Sequence, residues 1–181
     1  PFIMSWLEAL ILGLIQGLTE FLPISSSGHL EIGKVLLGAE VEQNMTFTVV
    51  VHGATVLSIF FVFWKDIYQL IKEAFTFKWN TTNQYTLKIL LSMLPVALVG
   101  FLFKEEVESL FTGNLVLVGS MLLITALLLA FTYFFKAKER KVGFLHSLVI
   151  GVSQALAVLP GISRSGATIS TALLLGIKRE E

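Results

Sequence analysis

The chain has 181 residues, of which 55% are hydrophobic and only 14% charged, and its mean hydropathy is +0.81. Soluble domains carry about 25% charged residues, so this composition excludes a disordered chain and disfavours an ordinary soluble domain. The 13 Lys and Arg balance the 13 Asp and Glu, and there is no Cys, which argues against nucleic-acid binding by bulk charge and excludes a disulfide scaffold. We therefore predict an all-α integral membrane protein, a polytopic helix bundle forming one domain, residues 1–181.

Five apolar segments follow one another along the chain. The first and the last are interrupted by polar residues after Pro23 and Pro160, whereas the three between them are long enough to cross a membrane. At about 1.5 Å of rise per residue, the longest of these three covers roughly 31 Å, close to one hydrocarbon core. In chain order the segments are Met4–Leu22, Phe47–Trp64, Thr86–Phe103, Leu115–Phe135 and Phe144–Leu159.

The charges between the segments predict an orientation. The linkers Lys65–Tyr85 and Lys136–Gly143 are rich in Lys and Arg, whereas Glu31–Met45 and Lys104–Asn114 each carry one Lys and three Glu. Basic loops remain in the cytoplasm. The two basic linkers are therefore expected inside and the two acidic ones outside.

The two interrupted segments resemble each other when Gly28 is placed over Gly166 without a gap. Identical residues then recur in the same order, which indicates an internal repeat. The first copy covers residues 4–135. Residues 144–181 form the start of the second copy, which is expected to be incomplete. The matched positions are Gly13, Gln16, Leu18, Ile24, Ser25, Ser27 and Gly28 over Gly151, Gln154, Leu156, Ile162, Ser163, Ser165 and Gly166.

The number of spans between the copies determines the symmetry of the repeat. If each interrupted segment turns back at its Pro and Gly residues, three spans separate the copies and the repeats are inverted. Two re-entrant helix pairs would then meet near the membrane midplane, where inverted repeats usually build a binding site. If both segments crossed the membrane completely, the repeats would be parallel. The loop charges favour inversion.

The first interruption carries polar residues that are costly in lipid. Gln16 and Glu20 are four residues apart and share one face of a helix, as either a functional pair or a polar contact between helices. The run Ser25–Ser27 either caps a helix or forms an anion cradle with its free N–H groups. His29 lies one turn further on, within reach of a serine hydroxyl, which is typical of a nucleophile with its base.

The second interruption adds Arg164 between Ser163 and Ser165. A guanidinium binds phosphate through two parallel hydrogen bonds, so this residue predicts a phosphate site. The alternative is a structural ion pair with Glu20 or with a lipid headgroup. Thr168 could supply another hydroxyl or bond back to its own helix, and we interpret His52 as a packed polar residue.

Two motifs resemble the signatures of the BacA/UppP family of undecaprenyl-diphosphate phosphatases. The first is Gln16–Leu30, with the sequence QGLTEFLPISSSGHL, and the second is Leu159–Thr168, with the sequence LPGISRSGAT. Many members have Glu at the position of Gln16, but the family pattern admits either residue. The family is longer at its C-terminus, so we expect further spanning helices after Glu181.

The resemblance implies hydrolysis of undecaprenyl diphosphate to undecaprenyl phosphate and inorganic phosphate, which recycles the carrier for peptidoglycan and confers bacitracin resistance. It also implies a divalent cation, Mg²⁺ or Ca²⁺, and a multi-pass protein of the bacterial plasma membrane whose site opens to the periplasmic face. The expected partners are a polyprenyl diphosphate and membrane lipids, and no nucleic acid is expected. A homodimer is one possible assembly.

A mechanism can be assigned to these positions. We expect Glu20 and Gln16 to bind the cation, Arg164 to neutralise the diphosphate, Ser26 to attack phosphorus and His29 to move the proton. A metal-bound water could replace the serine. The residues expected to position phosphate oxygens are Ser25, Ser27, Gly28, Ser163, Arg164, Ser165 and Thr168. The rival hypothesis is a transporter or flippase that uses the same midplane site without chemistry.

Overall fold

The computed structural model describes residues 4–38, 45–76, 78–110, 114–135 and 140–178, and all regular secondary structure within these ranges is helical. This confirms the predicted all-α class. The helices are α1 (Trp6–Glu20), α2 (Ser26–Leu37), α3 (Met45–Val62), α4 (Trp64–Ala74), α5 (Thr81–Leu102), α6 (Lys104–Ser109), α7 (Leu115–Tyr133), α8 (Phe144–Leu156) and α9 (Arg164–Leu174).

The first interrupted segment folds as a helical hairpin, α1 followed by α2. A capping box between Ser5 and Glu8 starts α1, and the helix ends at the turn that contains Pro23. With 15 and 12 residues, each helix is too short to cross a membrane alone. Gly33 of α2 packs against Leu12 of α1, where an added Cβ would lie 2.9 Å from Leu12 Cδ2. The chain therefore turns back after Glu20, as predicted.

The second interrupted segment forms an equivalent hairpin, α8 followed by α9. Its turn contains Gly161, whose φ of 98° is a backbone conformation that favours glycine. On its outer side α8 packs closely along α5, and Gly151 leaves no room for a side chain against the backbone of Ser92. This close approach fixes the second hairpin on a long apolar helix.

The turns of the two hairpins contact each other. A Cβ at Gly28, in the first turn of α2, would lie 3.0 Å from the Cα of Gly161. A Cβ at Gly166, in the first turn of α9, would lie 2.9 Å from the carbonyl oxygen of Pro23. Each hairpin therefore places the start of its second helix on the turn of the other, as expected for two copies related by a two-fold axis.

The spanning helices agree with the sequence in part. Within the described ranges, α5 and α7 are long and apolar enough to cross a membrane, and α3 with α4 passes the same test only as a pair bent by 80°. The predicted span Phe47–Trp64 therefore ends early, at Val62. The chain is a multi-pass membrane protein, and the many exposed Leu, Val and Phe side chains of these helices suit a lipid-facing surface.

Three predicted linkers contain helix, and one of them, Glu31–Met45, includes the second half of α2. The linker Lys65–Tyr85 includes most of α4 and the start of α5, which begins early because the side chain of Asn80 caps it by accepting from Asn83 N–H. The linker Lys104–Asn114 includes α6. Parts of the charged linkers used for the orientation, residues 39–44, 111–113 and 136–139, lie outside the described residues.

Candidate active site

A cavity of about 730 Å³ lies where the two hairpins meet, with α3 forming another wall. Most of the residues predicted to form a site line it together. From the first hairpin these are Glu20, Ser25, Ser26 and Ser27, and from the second hairpin Ser163, Arg164, Ser165 and Thr168. Gln16, Gly28 and His29 are not among the lining residues. The repeat thus brings together side chains separated by more than a hundred positions in sequence.

Glu20 and Ser26 are joined by a hydrogen bond across the turn of the first hairpin. Ser26 Oγ donates to Glu20 Oε2 at 2.5 Å, and Gln16 Nε2 donates to the same oxygen at 2.9 Å. Gln16 is 1% exposed, so its amide orients the carboxylate from beneath. A carboxylate that accepts from a hydroxyl is placed to take its proton. Glu20 is therefore the base that the geometry offers to Ser26.

His29 has a different partner from the one expected. Its Nδ1 lies 2.8 Å from the backbone carbonyl oxygen of Ser25, and no serine hydroxyl contacts its ring among the described residues. Side chains in a helix lean back toward the preceding turn, which takes this ring to the carbonyl four residues earlier. Since that carbonyl only accepts, Nδ1 carries the proton and donates it. In this geometry His29 holds the cap of α2.

Both second helices begin with the same capping arrangement. Ser25 Oγ accepts from Gly28 N–H at 3.3 Å, and Ser163 Oγ accepts from Gly166 N–H at 3.0 Å. The capping interpretation of the run Ser25–Ser27 is thus confirmed for Ser25, and Ser163 caps α9 in the same way. Ser25 adopts a positive φ of 69°, which is strained for a residue with a side chain.

The caps leave other first-turn donors unused. The backbone N–H groups of the first two residues in each helix lack an intrahelical acceptor. They belong to Ser26 and Ser27 in α2 and to Arg164 and Ser165 in α9, all of which line the cavity. Two helix N-termini therefore face one cavity, an arrangement that favours a ligand with two anionic groups.

Arg164 is exposed on the cavity and its guanidinium makes no hydrogen bond or ion pair with the described part of the chain. The ion pair with Glu20, considered as a structural alternative, is therefore not formed in this conformation. Thr168 Oγ1 lies 3.0 Å from the carbonyl oxygens of both Arg164 and Ser165, so its hydroxyl bonds back to its own helix.

Thr125 anchors the second hairpin and was not identified from the sequence. This side chain of α7 is 3% exposed; its Oγ1 donates to the carbonyl oxygen of Gly161 and accepts from Ser163 N–H, both at 3.0 Å. A threonine in an apolar span gave no signal of this role. Its contacts hold the turn and the cap that precede Arg164.

The cavity also has a polar wall that sequence reasoning missed. It is formed by Glu31 and Lys34 of α2 with Thr48 and His52 of α3. The sequence placed Glu31 and Lys34 in an outer linker and gave His52 no role. Spacing along α2 could have placed both charged residues on the face of Ser27, because all three fall at helical intervals.

The oxygen atoms near Glu20 can be compared with the ligands that a divalent cation requires. No group of three or more His, Asp and Glu suited to a metal occurs in the described ranges. Mg²⁺, however, often takes only one or two carboxylates and completes its shell with phosphate oxygens and water. Gln16 Oε1 is buried and has no hydrogen-bond partner among the described residues, and rotating the amide would turn this oxygen toward Glu20. The donor set thus fits a cation that also binds phosphate.

Comparison with known proteins gives consistent matches over nearly the whole chain. Proteins named undecaprenyl-diphosphatase from Bacteroides thetaiotaomicron and Christiangramia forsetii are 53% and 55% identical to it, each over 96% of this chain and 66% of their own length. One of the same name from Korarchaeum cryptofilum is 41% identical over 96% of this chain and 68% of its own length. The chain thus spans about two thirds of these relatives.

The family match covers both motifs and most of the two hairpins that carry them. Residues 9–181 match the family described as bacitracin resistance protein BacA, a range that includes every residue of the cavity wall named above. The chain belongs to the BacA family.

Proposed function

We propose that this chain forms the catalytic centre of a membrane phosphatase that converts undecaprenyl diphosphate to undecaprenyl phosphate and inorganic phosphate. The observation that carries the proposal is the hydrogen bond from Ser26 to Glu20 in a cavity that also presents the guanidinium of Arg164, which pairs with no residue of the described ranges. A nucleophile, its base and an anion-binding group are thereby within one cavity. The activity named for the relatives supports the same reaction.

The cavity suits a ligand with an apolar tail and a charged end. Its polar groups lie at the tips of the two hairpins and on the wall that α2 and α3 form, whereas Leu22, Val49 and Ile59 contribute apolar surface. An isoprenoid chain would lie against the apolar part and extend toward lipid between the helices. The diphosphate would then reach the two helix N-termini, which accept one phosphate each.

In the first step Ser26 Oγ forms a bond to the terminal phosphorus while Glu20 takes the hydroxyl proton. The bond from that phosphorus to the bridging oxygen breaks, and the bridging oxygen leaves with the lipid as undecaprenyl phosphate. Arg164 and the free N–H groups of α2 and α9 stabilise the charge that spreads over the equatorial oxygens.

In the second step water attacks the phosphoserine. The Ser26 Oγ–P bond breaks, Glu20 returns its proton to Ser26 Oγ, and both protons of the water stay on the phosphate that is released. Direct attack by water on the diphosphate, with Glu20 as its base, is the alternative, and it forms no phosphoserine.

A divalent cation is part of the proposal, with Glu20 and Gln16 as the residues that would hold it. When bound, it would neutralise phosphate charge at the reacting phosphorus. The role of Gln16 is supported by its buried, unpartnered Oε1. The basic linkers support a site that opens to the outer face of the plasma membrane, where the lipid carrier would be recycled and bacitracin resistance would follow.

The test is phosphate release from undecaprenyl diphosphate by purified protein in detergent, with and without EDTA. Glu20→Gln and Ser26→Ala should each abolish release, and Ser58→Ala is the matched control because Ser58 Oγ bonds only within its own helix. Metal-dependent release lost in both variants supports the phosphatase. Binding of the lipid without release, together with movement of the lipid between leaflets in vesicles, would replace the phosphatase by a carrier.

A further inference from the structure

The polar wall of the cavity holds an ion pair with an incomplete set of partners. Glu31 and Lys34 are 4% and 5% exposed, and Lys34 Nζ lies 3.1 Å from Glu31 Oε1 and 3.2 Å from Thr48 Oγ1. Glu31 Oε2 is also buried but has no hydrogen-bond partner in the part of the chain that the structure describes. Burying a charge pair costs several kcal/mol of desolvation per ion, so an unpartnered carboxylate oxygen at a cavity wall indicates a ligand that donates to it.

His52 adds a second acceptor beside this pair. Its Nδ1 lies 2.8 Å from the carbonyl oxygen of Thr48, which can only accept, so Nδ1 carries the proton. In the tautomer that carries its proton on Nδ1, the lone pair lies on Nε2. Glu31, Lys34, Thr48 and His52 all line the cavity, which therefore presents a cation and two acceptors on one wall.

This combination selects one class of ligand. An anion would be held by Lys34, but a fully deprotonated anion would be repelled by Glu31 Oε2. An anion that still carries a proton satisfies both, since its charged oxygens accept from Lys34 while its O–H donates to Glu31 Oε2 or to His52 Nε2. Phosphate keeps a proton near neutral pH, whereas sulfate does not.

We propose that Glu31, Lys34, Thr48 and His52 form a second subsite that binds a protonated phosphate group leaving the reaction centre. The proposal rests on the proposed function, in which phosphate is released with both protons of the attacking water. Glu31 and Lys34 follow Ser26 by five and eight residues on α2, so Lys34 is roughly 12 Å along the helix axis from the nucleophile. The subsite would take the phosphate out of reach of Ser26.

The phosphate group could belong to inorganic phosphate or to a polyprenyl phosphate, so the experiment has two arms. The affinities of inorganic phosphate, sulfate and farnesyl phosphate are measured by thermal shift on the purified full chain in detergent, and those of the two phosphates also by ³¹P line broadening. We expect phosphate to bind about tenfold more tightly than sulfate, the usual effect of one charged hydrogen bond. Tighter binding of farnesyl phosphate than of inorganic phosphate would assign the subsite to the lipid product.

The variants separate this subsite from the reaction centre. Arg164→Ala should leave a phosphate site that Lys34→Met removes, and Glu31→Gln should reduce the preference for phosphate over sulfate. Lys104→Met is the control, because Lys104 is exposed and pairs only with Glu108. If Lys34→Met does not fold, the phosphate-to-sulfate ratio of the Arg164→Ala protein still decides, since equal binding of the two anions there would overturn the proposal.

The outcome is distinguishable from a failure of the proposed function. Lys34-dependent binding of phosphate in a protein without phosphatase activity would support the subsite and contradict the proposed reaction. Phosphatase activity without selective, Lys34-dependent binding of phosphate would retain the reaction and overturn the subsite.

Discussion

Gly28 lies against Gly161, so the first turn of α2 packs directly on the turn of the opposite hairpin. The reciprocal contact is made between Gly166, in the first turn of α9, and Pro23, in the turn of the first hairpin. Because backbone meets backbone at both points, the two helix N-termini are held side by side with little freedom to separate. The distance between Ser26 on one hairpin and Arg164 on the other is therefore set by these glycines.

Gly166→Ala should weaken the junction of the hairpins. Its Cβ would lie 2.9 Å from the carbonyl oxygen of Pro23, a backbone atom that cannot move without shifting the first hairpin. Phosphate release and the midpoint of thermal unfolding in detergent should both fall. Gly13→Ala is the matched control, since nothing lies within 4 Å of its Cβ and alanine favours helix. An unchanged Gly166→Ala protein would show that the junction is not tightly packed.

Thr125→Val should destabilise the second hairpin by about 1–3 kcal/mol, because it leaves the carbonyl of Gly161 and the N–H of Ser163 buried without partners. Thr125→Ser should recover most of the stability. Thr132→Val is the control on the same face of α7, where the hydroxyl bonds only to Leu129 of its own helix. Equal losses in the valine variants at 125 and 132 would contradict an anchoring role.

Much of this arrangement could be predicted from the sequence. The prolines and the serine caps mark the breaks, and the recurrence of residues around Gly28 and Gly166 predicts that the breaks meet. The partner of Ser26 could not be predicted, because the rotamer of His29 decides whether its ring faces a hydroxyl or the carbonyl of Ser25. The apolar spans reveal no pairing between helices, so Thr125 and the contact of Lys34 with Thr48 required the structure.

Arg164→Lys should lower kcat/KM by about 100-fold or more, since a lysine supplies a point charge in place of two parallel donors to the phosphate. The fold should be preserved because the guanidinium has no hydrogen bond to the described part of the chain. Arg140→Lys is the control, because the hydrogen bonds of Arg140 with Gly176 and Lys178 use its backbone. Near-normal turnover of the Arg164→Lys protein would remove this residue from the phosphate site.

Ser26→Ala and Ser27→Ala distinguish a nucleophile from a positioning hydroxyl. Ser26 donates to Glu20, whereas Ser27 pairs with Ser25 at 3.3 Å. Only the first variant should abolish a ³²P-labelled phosphoenzyme, detected after rapid acid quench with terminally labelled substrate. The second should raise KM with a smaller effect on kcat. Turnover without any phosphoenzyme in the unmodified protein would favour direct attack by water.

The ion pair between Lys34 and Glu31 predicts strong non-additivity in stability. Lys34→Met leaves a carboxylate buried and unpaired, which costs about 3–5 kcal/mol when a buried pair loses one member. The double variant Glu31→Leu with Lys34→Leu removes both charges and should unfold close to the unmodified protein. Thermal midpoints of Glu31→Leu, Lys34→Leu and the double variant in one detergent give the coupling. Additive losses of stability would show that the two charges do not depend on each other. A stable double variant that no longer distinguishes phosphate from sulfate would show that the pair contributes to binding.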